Sequence, residues 1–432
     1  MTDAVAQEYA VARSGKGLSG WSKASALVVF GLTLVSFFNY TDRNAISVLI
    51  EPIKKELLLT DTQVGLITGL AFALFYAVMG LPIARLADRG NKAKILVLCF
   101  VLWSLMTALS GLATSFMGLF LLRLMVGVGE AGCLPTSFAI ISERFSARQR
   151  PLVISIFQAG GRLGVALGMA GAGIAGQLFG WRMALVGLGA IGIPVAILVA
   201  FILRRVDGPK KSVSHAPQQK TSLSTILKFP GFVPMLVAIS LASFGNYGIS
   251  QWLPAFYVRS FGATLGSAGV WIGLASGVGG VTGTLLGGAI AGVLVRRHQN
   301  WDLWLPALAN IVSIPFFLIA LLCNSVISAS GFYCLAILIS TLGGGVALAA
   351  FQRFTDAAHR ATANALMLMI SALTGVGLGP VAVGIASDLF KSQSGPESLR
   401  WALVVTTSVF AGASLFFYLT ARAAKTEPDA AQ

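Results

Sequence analysis

Long apolar runs separated by short polar connections organise this chain from residue 24 to residue 422. A helix rises about 1.5 Å per residue, so roughly 20 apolar residues cross the hydrocarbon layer of a bilayer. Read by that length, the runs predict twelve membrane-spanning helices, near 24–50, 62–84, 93–113, 116–142, 151–179, 181–204, 231–259, 267–295, 302–323, 329–352, 360–388 and 399–422. The shortest connection, at Thr114 and Ser115, is little more than a turn. The expected class is an all-α membrane protein.

One connection is long. Residues 205–230 are polar, basic and proline-containing, which predicts a linker rather than a domain. It divides the chain into a tail (1–23), a six-helix bundle (24–204), a second six-helix bundle (231–422) and a second tail (423–432). The halves echo each other. Gly80 to Lys94 closes the second helix with glycine, apolar residues and then basic ones, and Gly287 to Arg297 does the same at the eighth. Two six-helix pseudo-repeats imply a pathway between them.

Composition fits a lipid solvent. Only 11% of residues are charged, against about 25% in soluble chains, and mean hydropathy is +0.81. The net charge of +15 is a matter of placement. With the N-terminus inside, the inner segments hold 22 of the 31 Lys and Arg, the outer connections 6, and 3 lie within helices. That bias predicts both termini on the cytoplasmic side of the cell membrane. No nucleic-acid-binding motif accompanies the basic residues. Met1 to Lys23 lacks a signal peptide's apolar stretch, so the first run is expected to be a retained helix.

An enzyme needs a nucleophile set, a metal set or a phosphate loop, and none is recognisable. His215, His298 and His359 fall in or beside inner connections without partner spacing, and the four cysteines are scattered through apolar segments. Neither a metal nor a cofactor is expected. A channel would show rings of one charge, so a non-transporting receptor is the rival from another class.

The connection ARLADRGNKAK (Ala84 to Lys94) resembles the major facilitator signature G-x-L-A-D-R-x-G-R-K. Leu86, Ala87, Asp88, Arg89 and Lys92 fit it; Ala84 and Asn91 stand where glycine is usual, and Ala93 replaces a base. The resemblance implies that Asp88, Arg89 and Lys92 lock the outward-facing conformation. RLMVGVGEAGCLP (Arg123 to Pro135) is similar to the family's R-x-x-x-G motif, and GGRLGVALG (Gly160 to Gly168) to a third, without its proline. Within the superfamily, residues 39–67, LADRGNK, VGVGEAG and GVGLGP (Gly375 to Pro380) resemble the spinster-like transporters. That likeness implies a proton-coupled, monomeric secondary transporter of lysolipids or sphingoid phosphates. A related branch carries small carboxylates.

Five ionisable residues lie inside helices, all in the first half: Asp42, Arg43, Arg123, Glu130 and Arg162. Each costs about 2.5–3.5 kcal/mol to insert, which marks it as a functional candidate. Counted from the outer ends, Asp42 lies roughly 12 Å deep, Arg123 about 10 Å and Glu130 about 21 Å, while Arg162 is around 16 Å from the inner end. These depths predict an outer cluster of Asp42, Arg43 and Arg123 and a deeper Glu130–Arg162 pair. Asp42 is the first candidate proton carrier and Glu130 the second; Arg123 and Arg162 are alternatively substrate-anion ligands.

In the seventh helix, Gly245, Gly248 and Pro254 can break the helix at a binding site or serve ordinary helix packing. Tyr40, Asn246, Tyr247, Gln251 and Trp252 are candidate cavity residues, with Asn310 and Asn364 weaker ones. Gly160, Gly164 and Gly168 recur every fourth residue and predict one close-packing face.

Overall fold

The computed structural model describes residues 22–146, 148–204, 227, 229–355 and 359–423. The expected tails and the linker 205–230 therefore fall almost wholly outside the described residues. Among these, ten continuous helical stretches are long and apolar enough to cross a membrane. Two of them, Arg150–Arg204 and Thr362–Ala423, have 55 and 62 residues, more than twice the length of one crossing. The first doubles back at Gly180, where φ of 80° and ψ of 159° end the helix. The second doubles back at Gly395, with φ of 53°.

Twelve spans result. They are α1 (Lys23–Val48), α2 (Asp61–Ala87), α3 (Lys92–Ser110), α4 (Phe116–Arg144), α5 (150–179), α6 (181–204), α7 (Phe232–Phe261), α8 (Leu265–Arg297), α9 (Trp301–Leu322), α10 (Val326–Phe354), α11 (362–394) and α12 (398–423). Number and order match the sequence expectation. The first run ends early, at Val48, and a separate short helix, Ile50–Glu56, follows it. The α7 break is absent: the helix runs unbroken through Gly245, Gly248 and Pro254. Its glycines serve packing instead, Gly245 facing the Phe410 ring and Gly248 the Gly379 backbone.

We call the face where Lys23, Arg204 and Ala423 lie the near face and the opposite one the far face. Four of the six helices that start at the far face begin on hydroxyl caps: Thr60, Ser115, Thr264 and Ser325 accept from the third residue of α2, α4, α8 and α10. At the near face, Lys92 ties α3 to Glu143 of α4 at 2.6 Å. Six helices on, Asp302 of α9 meets Arg353 of α10 with the charges exchanged.

Packing differs between the faces. Toward the far face one apolar cluster unites Leu49, Ile53 and Val64 with Trp252, Phe256, Ile272 and Leu399. Toward the near face it divides, with one cluster around Phe100, Trp103 and Phe157, another around Phe232, Phe351 and Phe417, and a small third one of Ala291, Leu305 and Val346. The helices that meet across this divide tell the same story. A Cβ on Gly69 of α2 would lie 2.5 Å from the Gly377 carbonyl of α11, so the backbones touch there; one helical stretch on, nothing lies within 4 Å of a Cβ on Gly80. Gly269 and Gly273 of α8 rest against the Met169 and Ala166 carbonyls of α5, whereas Gly288 and Gly292 face open space. The molecule is closed at the far face and open at the near face.

Candidate functional site

Four of the five in-helix charges meet in one buried cluster. Exposure is 3% for Asp42, 7% for Arg43, 1% for Arg123 and 0% for Glu130. Asp42 and Arg43 are adjacent on α1 and point about 100° apart, so each addresses a different residue of α4. Arg43 donates Nη2–H and Nε–H to Glu130 Oε2 at 2.8 and 3.2 Å. Arg123 Nη1 stands 3.8 Å from Asp42 Oδ2, an ion pair too long for a hydrogen bond. The Arg43 guanidinium also lies over the rings of Phe72 at 4.6 Å, Tyr76 at 4.9 Å and Tyr40 at 5.6 Å.

The expected Glu130–Arg162 pair does not form, because Arg43 takes Glu130. Depth along the axes located the backbones but not the side chains. Helical side chains lean toward their own N-terminus. Arg43 therefore leans toward the near face and Glu130 toward the far face, which closes the gap between them. Arg162 leans toward the near face on α5 and is exposed, its Nη1 3.1 Å from where a Cβ on Gly280 of α8 would sit. It stands where α5 and α8 begin to part, close enough to Tyr40 to interact electrostatically.

The cluster keeps spare bonding capacity. Both Asp42 carboxylate oxygens, Glu130 Oε1, and Arg123 Nε and Nη1 are buried without a hydrogen-bond partner. A carboxyl oxygen in that condition can accept a proton without giving up a bond. Two carboxyl groups and two guanidinium groups cancel when all are ionised, so each proton taken up adds one net positive charge to a site screened from water.

The second-half candidates are distributed differently. Trp252, Gln251 and Asn310 are closed off at 0%, 2% and 4% exposure. Trp252 Nε1 donates to the Pro380 carbonyl of α11 at 2.8 Å and so ties α7 to α11, whereas Asn310 Nδ2 donates to the Pro306 carbonyl one turn back in its own helix, so neither lines the opening. Asn246, half-buried, likewise donates to Ala242. Tyr247 is half-buried and interacts electrostatically with Arg43 and Tyr40, which joins it to the cluster. Asn364 is half-buried on α11. Among the expected lock residues, Lys92 pairs within the first half, Arg89 is exposed, and the Asp88 side chain lies outside the described residues.

A second charged site lies at the far face, and its basic residues are ones that the sequence marks only as topology signal. Arg259, at the end of α7, is its centre. It donates to Glu51 Oε1 at 2.7 Å and to both oxygens of Asp61 at 2.8 and 2.7 Å. Lys54 and Ser387 complete the shell of Asp61. Asp388 of α11 accepts from the backbone N–H groups of Asp61 and Thr62 at 3.1 and 2.8 Å, placing a carboxylate on the positive end of α2. On the other flank, Trp181 and Arg182 donate to Glu56 and hold its carboxyl below the usual range. The segment from Glu51 to Asp61 is thus a strap tied to both halves. Charged residues of opposite sign within one short connection, opposite a lone Arg, were the legible signal.

Comparison with known proteins agrees with this architecture. The sequence profile of the Major Facilitator Superfamily matches residues 32–376. The chain is 34% identical over 397 residues to an MFS-type efflux pump of Mycolicibacterium smegmatis, covering 90% of this chain and 91% of that one. It is 26% identical over 424 residues to protein spinster homolog 1 of Xenopus tropicalis, covering 92% and 80%. Among solved structures, a bacterial homologue of the human lysosomal transporter spinster, inward-facing and unoccupied, superposes with a TM-score of 0.85 at 28% identity, over 95% of this chain and 100% of that one. These relatives are transporters rather than enzymes, and the chain belongs to the Major Facilitator Superfamily, as a multi-pass transporter of the spinster type.

Proposed function

We propose that the protein moves an amphipathic anion, of the lysolipid or sphingoid-lipid class, in exchange or together with protons by alternating access. The carrying observation is the Asp42, Arg43, Arg123, Glu130 cluster, buried beside the opening with unpartnered carboxyl oxygens. Asp42 and Glu130 exchange the proton, and Arg43 and Arg123 balance the carboxylates. Arg162, exposed where α5 and α8 part, reads the anionic head, with Tyr40 and Tyr247 beside it. The six-helix units 24–204 and 231–422 rock about the far-face contacts. The near face is cytoplasmic, on the excess of Lys and Arg there, and the protein works as a monomer in the cell membrane.

Two variants test this in proteoliposomes. Asp42→Asn is expected to alter and weaken the pH dependence of uptake; wild-type pH dependence in that variant removes Asp42 from the role. Arg162→Gln is expected to raise KM for an anionic substrate by roughly tenfold or more, since a charged hydrogen bond contributes about 1.5–3 kcal/mol. A thermal-shift series comparing lysolipids and sphingoid phosphates with small carboxylates decides the substrate class. Stabilisation by small carboxylates alone would replace the lipid reading with an organic-acid transporter, and absence of saturable flux with any ligand would point to a receptor.

A further inference from the structure

The lipid-facing surface carries one feature that the transport cycle does not use. Between α9 and α12, at their near-face ends, lies a groove of about 420 Å³. Trp304, Ala307 and Leu308 of α9 and Ala411, Ser414, Leu415 and Tyr418 of α12 line it. Small residues set between large ones along two helices make a slot rather than a flat helix contact. From Ala411 to Tyr418 it runs roughly 10 Å along α12, within one leaflet.

Both aromatic lining residues carry a basic side chain at the end of the slot. The His298 ring stacks on Trp304 at 5.4 Å and 5°. Its Nδ1 accepts from the Asn300 N–H at 3.2 Å, which leaves Nε2 to donate outward. Across the groove, the Arg422 guanidinium sits 5.8 Å from the Tyr418 ring. Arg296 and Arg297, exposed at the end of α8, add charge of the same sign. The neighbouring carboxylate, Asp302, is held by Arg353.

We propose that this groove binds an anionic phospholipid, its acyl chain in the slot and its phosphate between Arg422 and His298. Charge complementarity selects the occupant. A zwitterionic lipid offers the same chain and phosphate but brings its own ammonium to a surface already carrying three guanidinium groups, whereas an anionic headgroup meets only favourable charge.

The test is native mass spectrometry of the delipidated full chain, titrated with phosphatidylglycerol or phosphatidylcholine of identical acyl chains. Wild type is expected to retain phosphatidylglycerol roughly tenfold more strongly, given about 1 kcal/mol per basic residue at a membrane surface. Combining Arg422→Gln with His298→Gln should cut that preference several-fold, and Ala411→Trp should remove the retained lipid altogether. Equal retention of the two lipids by wild type overturns the proposal and leaves annular lipid only. So does unchanged retention of phosphatidylglycerol when the slot is filled, and should Ala411→Trp not fold, Ser414→Phe fills the same slot from the next turn.

Discussion

Replacing Arg259 with Ala should open the far face. Arg259 and Asp61 are 14% and 4% exposed in their side chains, and Glu51 is 21% exposed, so the network is largely shielded from solvent. Removing the guanidinium leaves two carboxylates facing each other with only Lys54 between them. Breaking a buried pair costs about 3–5 kcal/mol; allowing for the partial exposure here, about 2–3 kcal/mol is expected. That energy is lost only from the closed conformation, because the pair cannot persist once α7 leaves the strap. The ratio of far-face-open to closed molecules should therefore rise roughly 30- to 150-fold. A single cysteine at Val64, 3% exposed inside the shared far-face cluster, reports it. In a background lacking Cys99, Cys133, Cys323 and Cys334, a membrane-impermeant maleimide should modify it faster by that factor in Arg259→Ala. Arg259→Lys keeps the charge but not the forked geometry and should fall between. A modification rate equal to that of the unaltered gate would show that the apolar contacts alone keep the far face shut.

The twelve crossings were legible because each demands about 20 apolar residues, and no other class of structure needs so many such runs. Ends were less so: a hydropathy run cannot distinguish α1 from the short helix Ile50–Glu56 that follows it, since Leu49 and Ile50 continue the apolar pattern across the break. The charged residues were legible one by one but not in their grouping, since Glu130 joins Asp42, Arg43 and Arg123 instead of forming a separate deeper pair with Arg162. The in-helix charges Asp42, Arg43, Arg123 and Glu130 were found by their cost, yet which arginine meets Glu130 depends on the lean of each side chain, which a depth count omits. Gly160, Gly164 and Gly168 do form one face. It packs on α1, where Thr41 donates to the Gly164 carbonyl at 3.0 Å, because a four-residue glycine spacing has a single physical use at a helix crossing. Gly245, Gly248 and Pro254 have two uses, breaking a helix or admitting a neighbour, and here the second applies. The gate was missed for a related reason. Loop charges serve both topology and ion pairing, and the inside–outside balance of Lys54 and Arg259 carries no information about their acidic partners.

The Arg43–Glu130 pair separates a packing role from a transport role. Glu130→Leu alone should strand the Arg43 guanidinium at 7% exposure without a counter-charge, costing about 3–5 kcal/mol and lowering the temperature at which the detergent-solubilised protein loses its fold. Adding Arg43→Met removes the stranded charge. Buried ion pairs replaced by apolar residues of similar volume are commonly neutral or more stable, so the double variant should regain wild-type heat resistance or exceed it. If the pair only fixes α1 against α4, transport should recover with the fold. If Glu130 carries a proton while Arg43 balances it, the well-folded double variant should show gradient-driven uptake near background, with its response to pH altered. The remaining Asp42–Arg123 contact at 3.8 Å, with both Asp42 oxygens unpartnered, would then be the sole titrating pair, and any residual proton dependence should vanish when Asp42→Asn is added. Full uptake with wild-type pH dependence in the stable double variant would confine Arg43 and Glu130 to packing and leave the coupling to Asp42 alone.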